Sequence, residues 1–309
     1  LKNFVFALLL EMSGKKRMAK KERQKTMIGK LLNNQNSGNQ QGATAVQVKH
    51  KSKRVTVLEE KQTPNGAAHL KKSNRPTVSV VIPALNEADN LPHVLPLIPN
   101  WVHEVLLVDG ASTDDTINIA RQLWPGVRVV QQQGRGKGAA LRSGFSAARG
   151  DIIVMLDADG STNPAEIPAF VEALLTGADF VKGSRFLQGG GTADMPLYRK
   201  LGNGAFVLIV RLLFGGKYSD LCYGYNAFWR RVLPALDLDG DGFEIETMMN
   251  IRALKTDLKV AEVPSFEHAR VYGLGRLRTI PDGWRVLNTI FKEWKHRDSA
   301  PMNGNGRDR

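Results

Sequence analysis

Cysteine is nearly absent: Cys222 stands alone in 309 residues, which excludes an intrachain disulfide and any metal cage built on cysteine. A reducing cytoplasm is therefore the expected compartment. Long apolar runs are missing too. The longest candidate, FVLIVRLLF at 206–214, is broken by Arg211. Nothing approaches the run of about 18 residues that a bilayer-crossing helix needs. The opening FVFALLL is short and is followed by EMSGKK, a poor leader cleavage site. No internal repeat recurs along the chain.

The net charge is +13, but it is unevenly placed. Residues 1–75 carry 17 Lys/Arg against 4 Glu, which accounts for all of it, while the rest of the chain balances 26 against 26. A neutral body gives no reason to expect specific nucleic-acid recognition. The basic segment is rich in Lys, Asn and Gln and has no hydrophobic period. Residues 1–75 and 299–309 are therefore expected to be largely disordered, and the basic arm suits an anionic lipid or nucleic-acid surface. Residues 76–298 are expected to form the globular domain.

From Thr77 onward short apolar runs alternate with helix-like segments. TVSVVIP (77–83), EVLLVD (104–109), VRVVQQ (127–132), DIIVMLD (151–157) and DFVKGS (179–184) read as strands. Between them lie a helical stretch to about Ile98, then DDTINIARQLW, KGAALRSGFSAARG and PAEIPAFVEALL, where Pro164 suits a first helical turn. The strands are apolar throughout, as strands covered on both sides must be. The series predicts an α/β fold: a mostly parallel central sheet with helices on both faces and right-handed crossovers.

Ligands in such sheets sit beyond the carboxyl ends of the strands. Those ends read PALNE (83–87), DGAST (109–113), GRGKG (134–138), DADGS (157–161) and GSRF (183–186). The fourth is the most informative. Asp157 and Asp159 sit one residue apart, and two carboxylates about 5 Å apart repel unless a cation or proton lies between them. No His or Cys stands near, which disfavours zinc. Mg²⁺ or Mn²⁺, bound through oxygen and shared with substrate phosphates, fits better. The plain alternative is that Asp159 closes a turn capping the next helix. Three chemistries suit the pair: a metal–diphosphate site in a sugar transferase, an aspartyl phosphatase, and a dinucleotide fold, since GRGKGA (134–139) satisfies G-x-G-x-x-A. The last two motifs belong on a first strand, whereas three strand–helix units precede Asp157.

Taken together, VVIPALNEADNL, LLVDGASTDDT, GKGAALRSGFSAARGDIIVMLDAD, GSRF, DLCYGYNAFWRR and FEHARVYGLGRL resemble family 2 glycosyltransferases with the GT-A nucleotide-sugar-binding fold, over roughly residues 76–290. Within that family the chain is most similar to polyprenyl-phosphate sugar synthases of the dolichyl-phosphate mannose synthase type. The resemblance implies that Pro83, Leu85 and Glu87 line the nucleoside pocket. Asp109 approaches base or ribose, with Gly110 where many relatives carry a second acid. Asp157 and Asp159, with Ala158 between them, match the metal-binding pair, and Ser161 stands where Gln is common. Arg185 matches an arginine that meets phosphate oxygens. Arg199 and Asn203 fall where relatives hold the acceptor phosphate. Arg270 would contact the diphosphate, Arg276 takes the place of a usual Lys, and Gly275 takes that of a usual Ser. Lys137 is a further donor-site candidate.

The implied reaction moves a sugar from a UDP- or GDP-linked donor to a polyprenyl phosphate, with Mg²⁺ or Mn²⁺ and with inversion. A phosphate monoester, with a second pKa of about 6, attacks as an anion and needs no base. A hydroxyl acceptor would need one, and Asp241, Glu244 and Glu246 in DGDGFEIE are the candidates. Two segments suit a membrane surface. YRKLGNGAFVLIVRLLFGG (198–216) has basic ends and an apolar middle, although it also reads as a core helix. GWRVLNTIFKEWKHR (283–297) is amphipathic, with Trp284 and Trp294. Many relatives continue there into transmembrane helices. This chain continues into DSAPMNGNGRDR, so it is expected to be peripheral, at the cytoplasmic face of a membrane.

Overall fold

The apolar runs become strands because each side chain in them has a covered face to point at. The computed structural model describes residues 75–193 and 195–296, and the expectations placed on 1–74 and 297–309 lie outside them. Strands β1 (Val78–Ala84), β2 (Glu104–Asp109), β3 (Arg128–Gln131), β4 (Ile152–Met155) and β5 (Phe180–Ser184) fall within a few residues of the expected runs. Four more come from later segments: β6 (Gly191–Thr192), β7 (Asn226–Trp229), β8 (Val260–Pro264) and β9 (Phe266–Glu267). The main sheet runs β3-β2-β1-β4-β7-β5-β8, and β6 and β9 form a separate two-stranded ladder. All pairings in the main sheet are parallel except those of β7, which is antiparallel to β4 and β5.

Alternation along each strand divides the interior into two cores. Val80, Ile82, Val105, Leu107, Ile152 and Val154 point to one side, where they meet α1 (Thr116–Leu123) and α3 (Ile167–Leu175). Val81, Leu106, Val108, Ile153 and Met155 point to the other, against α2 (Lys137–Ala147). Two longer helices, α4 (Leu197–Phe214) and α5 (Glu244–Lys255), precede the last one, α6 (Thr279–Lys295).

Where the sequence expected a helix to Ile98, the chain makes two short 3-10 turns, Leu91–His93 and Leu95–Leu97. Pro92 and Pro96 are the cause: neither offers an N–H, so a continuous α-helix cannot run through them. Helix α6 is amphipathic as expected, but its apolar face is spent inside the domain. Val286, Leu287 and Ile290 are buried, and Glu293, 3 % exposed, is clasped by Arg252 at 2.9 Å and Lys255 at 2.9 Å. Helix α4 is a core helix on one face only. Phe206, Ile209 and Val210 are buried, whereas Leu197, Leu201, Leu208 and Leu212 are each more than half exposed.

Candidate active site

Strand order reverses between β1 and β4: β2 and β3 lie beyond one, β7, β5 and β8 beyond the other. That crevice is where an open parallel sheet binds ligands. The loop after β1 brings Pro83, Leu85 and Glu87 to its rim, and the loop after β4 brings Asp157, Ala158, Asp159 and Ser161. β7 runs the other way, so the residues just before it, Tyr223 and Gly224, reach the same edge.

A single later segment, 268–276, lies across both loops. The His268 N–H donates to the Ser161 carbonyl at 2.8 Å, and the Val271 N–H to the Asp159 carbonyl at 3.3 Å. Over the first loop, the Tyr272 N–H donates to Asn90 Oδ1 at 2.8 Å, and Arg276 Nη2 to the Leu85 carbonyl at 2.6 Å. Arg270 joins the two sides. Its Nη2 meets Glu87 Oε2 at 2.6 Å while its Nη1 meets Asp159 Oδ2 at 3.3 Å. Glu87, 6 % exposed, is held ready for this by Asn90 Nδ2 at 2.6 Å.

The two aspartates are treated differently. Asp159 Oδ1 accepts from the Ser161 N–H at 3.0 Å and its hydroxyl at 2.6 Å, so it does close a turn, but the next helical turn is capped by Asn163, whose Oδ1 accepts the Ala165 N–H at 3.0 Å. Gly160, at φ 78°, lets the chain make that turn; a Cβ there would also meet Val271 Cγ2 at 2.8 Å. Asp157 instead meets Lys137 Nζ at 2.6 Å, and the same ammonium meets Glu246 Oε1 at 2.6 Å. Burial, with the like charges of Asp159 and Glu246, pushes the Asp157 carboxyl up to about 6 against the opposing pull of Lys137. Although burial alone would lower Lys137, the two carboxylates hold its ammonium well above the ordinary lysine range.

The remaining expected residues divide between this crevice and elsewhere. Asp109 is buried beside β1, where it accepts the Ala111 N–H at 3.1 Å and the Ser112 N–H at 3.2 Å, shaping the loop after β2. Arg185 is committed to protein partners. Its Nε and Nη2 bind both oxygens of Asp220, at 2.7 and 2.9 Å, and its Nη1 lies 3.1 Å from Glu267. Asn203 turns its Oδ1 to the Leu221 and Cys222 N–H groups at 3.0 and 3.1 Å, fixing the loop before β7. Arg199 reaches Thr279 Oγ1 at 3.5 Å, and its Nε is buried with no partner among the described residues. The GRGKGA segment does not cradle a phosphate: the Gly138 and Ala139 N–H groups, at the start of α2, both donate to the Asp241 carbonyl, at 2.8 and 3.3 Å. That overturns the dinucleotide reading.

Sequence reasoning missed two partners, Asp220 for Arg185 and the pairing of Glu246 with Lys137. Asp220 gave one signal, as the lone acid in the otherwise uncharged run SDLCYGYNAFW; the structure buries it fully. The donor atoms offered at the crevice are oxygens only, from Asp157, Asp159 and Ser161. No group of three His, Cys, Asp or Glu gathers as a metal cage among the described residues. That set fits a hard divalent ion that completes its shell with phosphate oxygens, and does not fit structural zinc.

A mostly parallel sheet with a crevice at its switch point, edged by two aspartates and an arginine bridge, is the architecture of a GT-A glycosyltransferase. The comparisons with known proteins agree. The model of "Glycosyl transferase family 2" matches residues 79–236, and the chain belongs to that family. It is 32 % identical over 229 residues to a dolichol-phosphate mannosyltransferase of Pyrococcus furiosus, covering 71 % of this chain and 62 % of that protein. It is 32 % identical over 250 residues to a polyprenol monophosphomannose synthase of Mycolicibacterium smegmatis, covering 74 % and 91 %. Among solved structures it resembles glucosyl-3-phosphoglycerate synthase of Mycobacterium tuberculosis in complex with Mn²⁺, UDP and glucosyl-3-phosphoglycerate. There the TM-score is 0.56 at 27 % identity, over 76 % of this chain and 84 % of that one.

Proposed function

We propose that this glycosyltransferase moves a hexosyl group from a UDP- or GDP-linked sugar to a polyprenyl phosphate, with inversion, at the cytoplasmic face of a membrane. The observation that carries the reading is Arg270. It spans the rim of the nucleoside side at Glu87 and the acidic tip at Asp159, the line along which a nucleoside diphosphate would lie. The names of the Pyrococcus and Mycolicibacterium relatives support the acceptor.

Asp159, with Asp157 and Ser161, would hold Mg²⁺ or Mn²⁺. Such an ion supplies positive charge against the diphosphate as it leaves. The chain's own residues do the rest. Arg270 exchanges its loose contact with Asp159 for a phosphate oxygen and so stabilises charge that grows in the transition state. The segment 268–276 closes over the crevice and excludes water. Arg199, in the first turn of α4, has an Nε without a partner among the described residues and turns toward the acceptor phosphate. The phosphate dianion needs no base.

The approach to lipid is supported by α4. Its exposed leucines recur at intervals of four, seven and four residues, so they form one stripe. The helix carries no acid, and Lys200, Arg211 and the following Lys217 are exposed. An apolar stripe with basic flanks fits an anionic lipid surface. No helix among the described residues is long and apolar enough to cross a membrane.

An acceptor panel tests the reading. Nucleoside diphosphate release with polyprenyl phosphate, abolished by a chelator and restored by Mn²⁺, is the expected result. A second reading, transfer to a hydroxyl of a small metabolite, is favoured by the phosphoglycerate-bound state of the Mycobacterium tuberculosis neighbour. Turnover with such metabolites and none with the lipid phosphate would establish it instead.

A further inference from the structure

The segment that crosses the crevice spends its polar groups inward and its apolar ones outward, the reverse of what water selects. The backbone of His268, Val271 and Tyr272 and the side chains of Arg270 and Arg276 hold the two loops beneath it. Past Arg270, every residue from Val271 to Arg278 is exposed. Tyr272 is 50 % exposed, Leu274 92 % and Leu277 38 %. A single exposed leucine needs no explanation. Leu274, however, stands clear of the fold at the centre of an apolar tip, between two glycines. Gly273 turns the chain at φ 79°, and a Cβ on Gly275 would meet nothing within 4 Å.

The charges around this tip have one sign. From His268 to Pro281 the chain carries three arginines and no acid. Arg270 is spent on Glu87 and Asp159, but Arg276 and Arg278 are exposed and form no ion pair among the described residues. The segment runs straight into α6 at Thr279, whose hydroxyl meets Arg199 Nη2 from the first turn of α4 at 3.5 Å. The tip thus adjoins the start of α4, where Leu197 and Leu201 are exposed with Lys200 between them. No acid lies from Leu197 to Lys217 either. An apolar tip inside a purely cationic collar is complementary to anionic headgroups laid over acyl chains.

We propose that this segment is a lipid-docking strap: Leu274, with Tyr272 and Leu277 beside it, inserts into an anionic bilayer, and docking holds the donor crevice closed. The coupling follows from connectivity. On its inner side the strap pins the loops that carry Asp159 and Leu85, through Val271 at 3.3 Å and Arg276 at 2.6 Å. A surface that binds the strap in this position favours the closed crevice over any form in which the strap has lifted. By linkage, a nucleotide held beneath the strap and a bilayer bound above it strengthen each other. The inference deepens the membrane reading made for α4 and rests on it, and its second readout rests on the nucleotide-sugar donor.

Sedimentation of the full chain is titrated against vesicles of phosphatidylglycerol and phosphatidylcholine that contain no polyprenyl phosphate. The basic residues 1–75 are common to all forms, so affinity ratios isolate the strap. Leu274→Ser, at a side chain the fold does not use, is expected to bind at least about tenfold more weakly than wild type. Arg278→Gln is expected to bind about fivefold more weakly. Calorimetric titration of UDP and GDP with Mn²⁺ then reads the coupling. Wild type is expected to bind one of the two at least about fivefold more tightly on saturating vesicles than without them, and Leu274→Ser to show no such gain. Unchanged vesicle binding by Leu274→Ser, or equal nucleotide affinity of wild type with and without vesicles, overturns the inference. If neither nucleotide binds wild type, the donor reading fails instead, and sedimentation alone decides the strap.

Discussion

Arg185 and Arg270 carry the same charge and serve the same edge of the sheet, and both match motifs that meet phosphate. Their surroundings separate them. Arg185 is 8 % exposed and ties up Asp220, which is fully buried, in a two-pronged pair, with Glu267 on its remaining side and Tyr223 beneath it at 4.8 Å. Arg270 stands at the start of an exposed loop and divides itself between two carboxylates, one of them at only 3.3 Å. A guanidinium with closed partners stabilises a fold, because removing it strands a buried charge. Arg270 is held tightly by Glu87 and by the Tyr272 carbonyl, each at 2.6 Å, and only its 3.3 Å contact with Asp159 is long enough to be exchanged for a diphosphate. The sequence motif marks both; only the partners each one keeps decide which is free to act.

Substitutions can widen or erase that contrast, beginning with the largest effect. Arg185→Met strands Asp220 and is expected to cost about 3–5 kcal/mol of stability in urea denaturation. A variant that melts like wild type while losing turnover would place Arg185 with Arg270 after all. Asp159→Ala and Arg270→Ala are expected to lower kcat/KM by ~10²–10³ each, as loss of one charge-stabilising contact does. Asp159→Ala should melt near wild type, whereas Arg270→Ala also strands the buried Glu87 carboxylate and is expected to lower the melting temperature. Gly224→Ala drives a methyl group into the Lys137–Glu246 contact, and about 1–3 kcal/mol of destabilisation is expected from such overpacking. An unchanged melting curve and unchanged turnover would show that the cluster tolerates slack. Smallest are Leu201→Ser and Leu208→Ser. Each removes a side chain that lipid would bury for about 1.5–3 kcal/mol. Sedimentation with anionic vesicles should fall roughly tenfold per substitution, while acceptor-free donor hydrolysis holds. Equal binding by all forms would leave α4 without a lipid role.

Much of the fold is legible in the residues alone. The continuous apolar runs mark β1, β2 and β4 because burial on both faces writes itself into composition. The acidic tip of β4 stands out because two charges at a strand end need a reason. What stays hidden is pairing across distance. Asn226–Trp229 is too short and too mixed to announce a strand, yet it inserts antiparallel between β4 and β5 and brings Gly224 to the site. Lys137 and Glu246 are 109 residues apart, and Arg185 and Asp220 are 35 apart. No local period links them. Asn203, matched by resemblance to the acceptor phosphate, shows the same distance effect: its oxygen holds two backbone N–H groups of a loop that only the fold brings near.

If the acidic tip of β4 and Arg270 together receive the donor's diphosphate through a divalent ion, nucleotide affinity must depend on both the ion and Asp159. The decisive experiment is calorimetric titration of UDP and GDP into wild type and Asp159→Ala, each with Mn²⁺ and with chelator. Tight binding of one nucleotide by wild type with Mn²⁺ is expected, and at least tenfold weaker binding in the other arms, by analogy with other metal-ligand losses. Equal affinity with chelator, or in Asp159→Ala, would refute the metal-bridged diphosphate site.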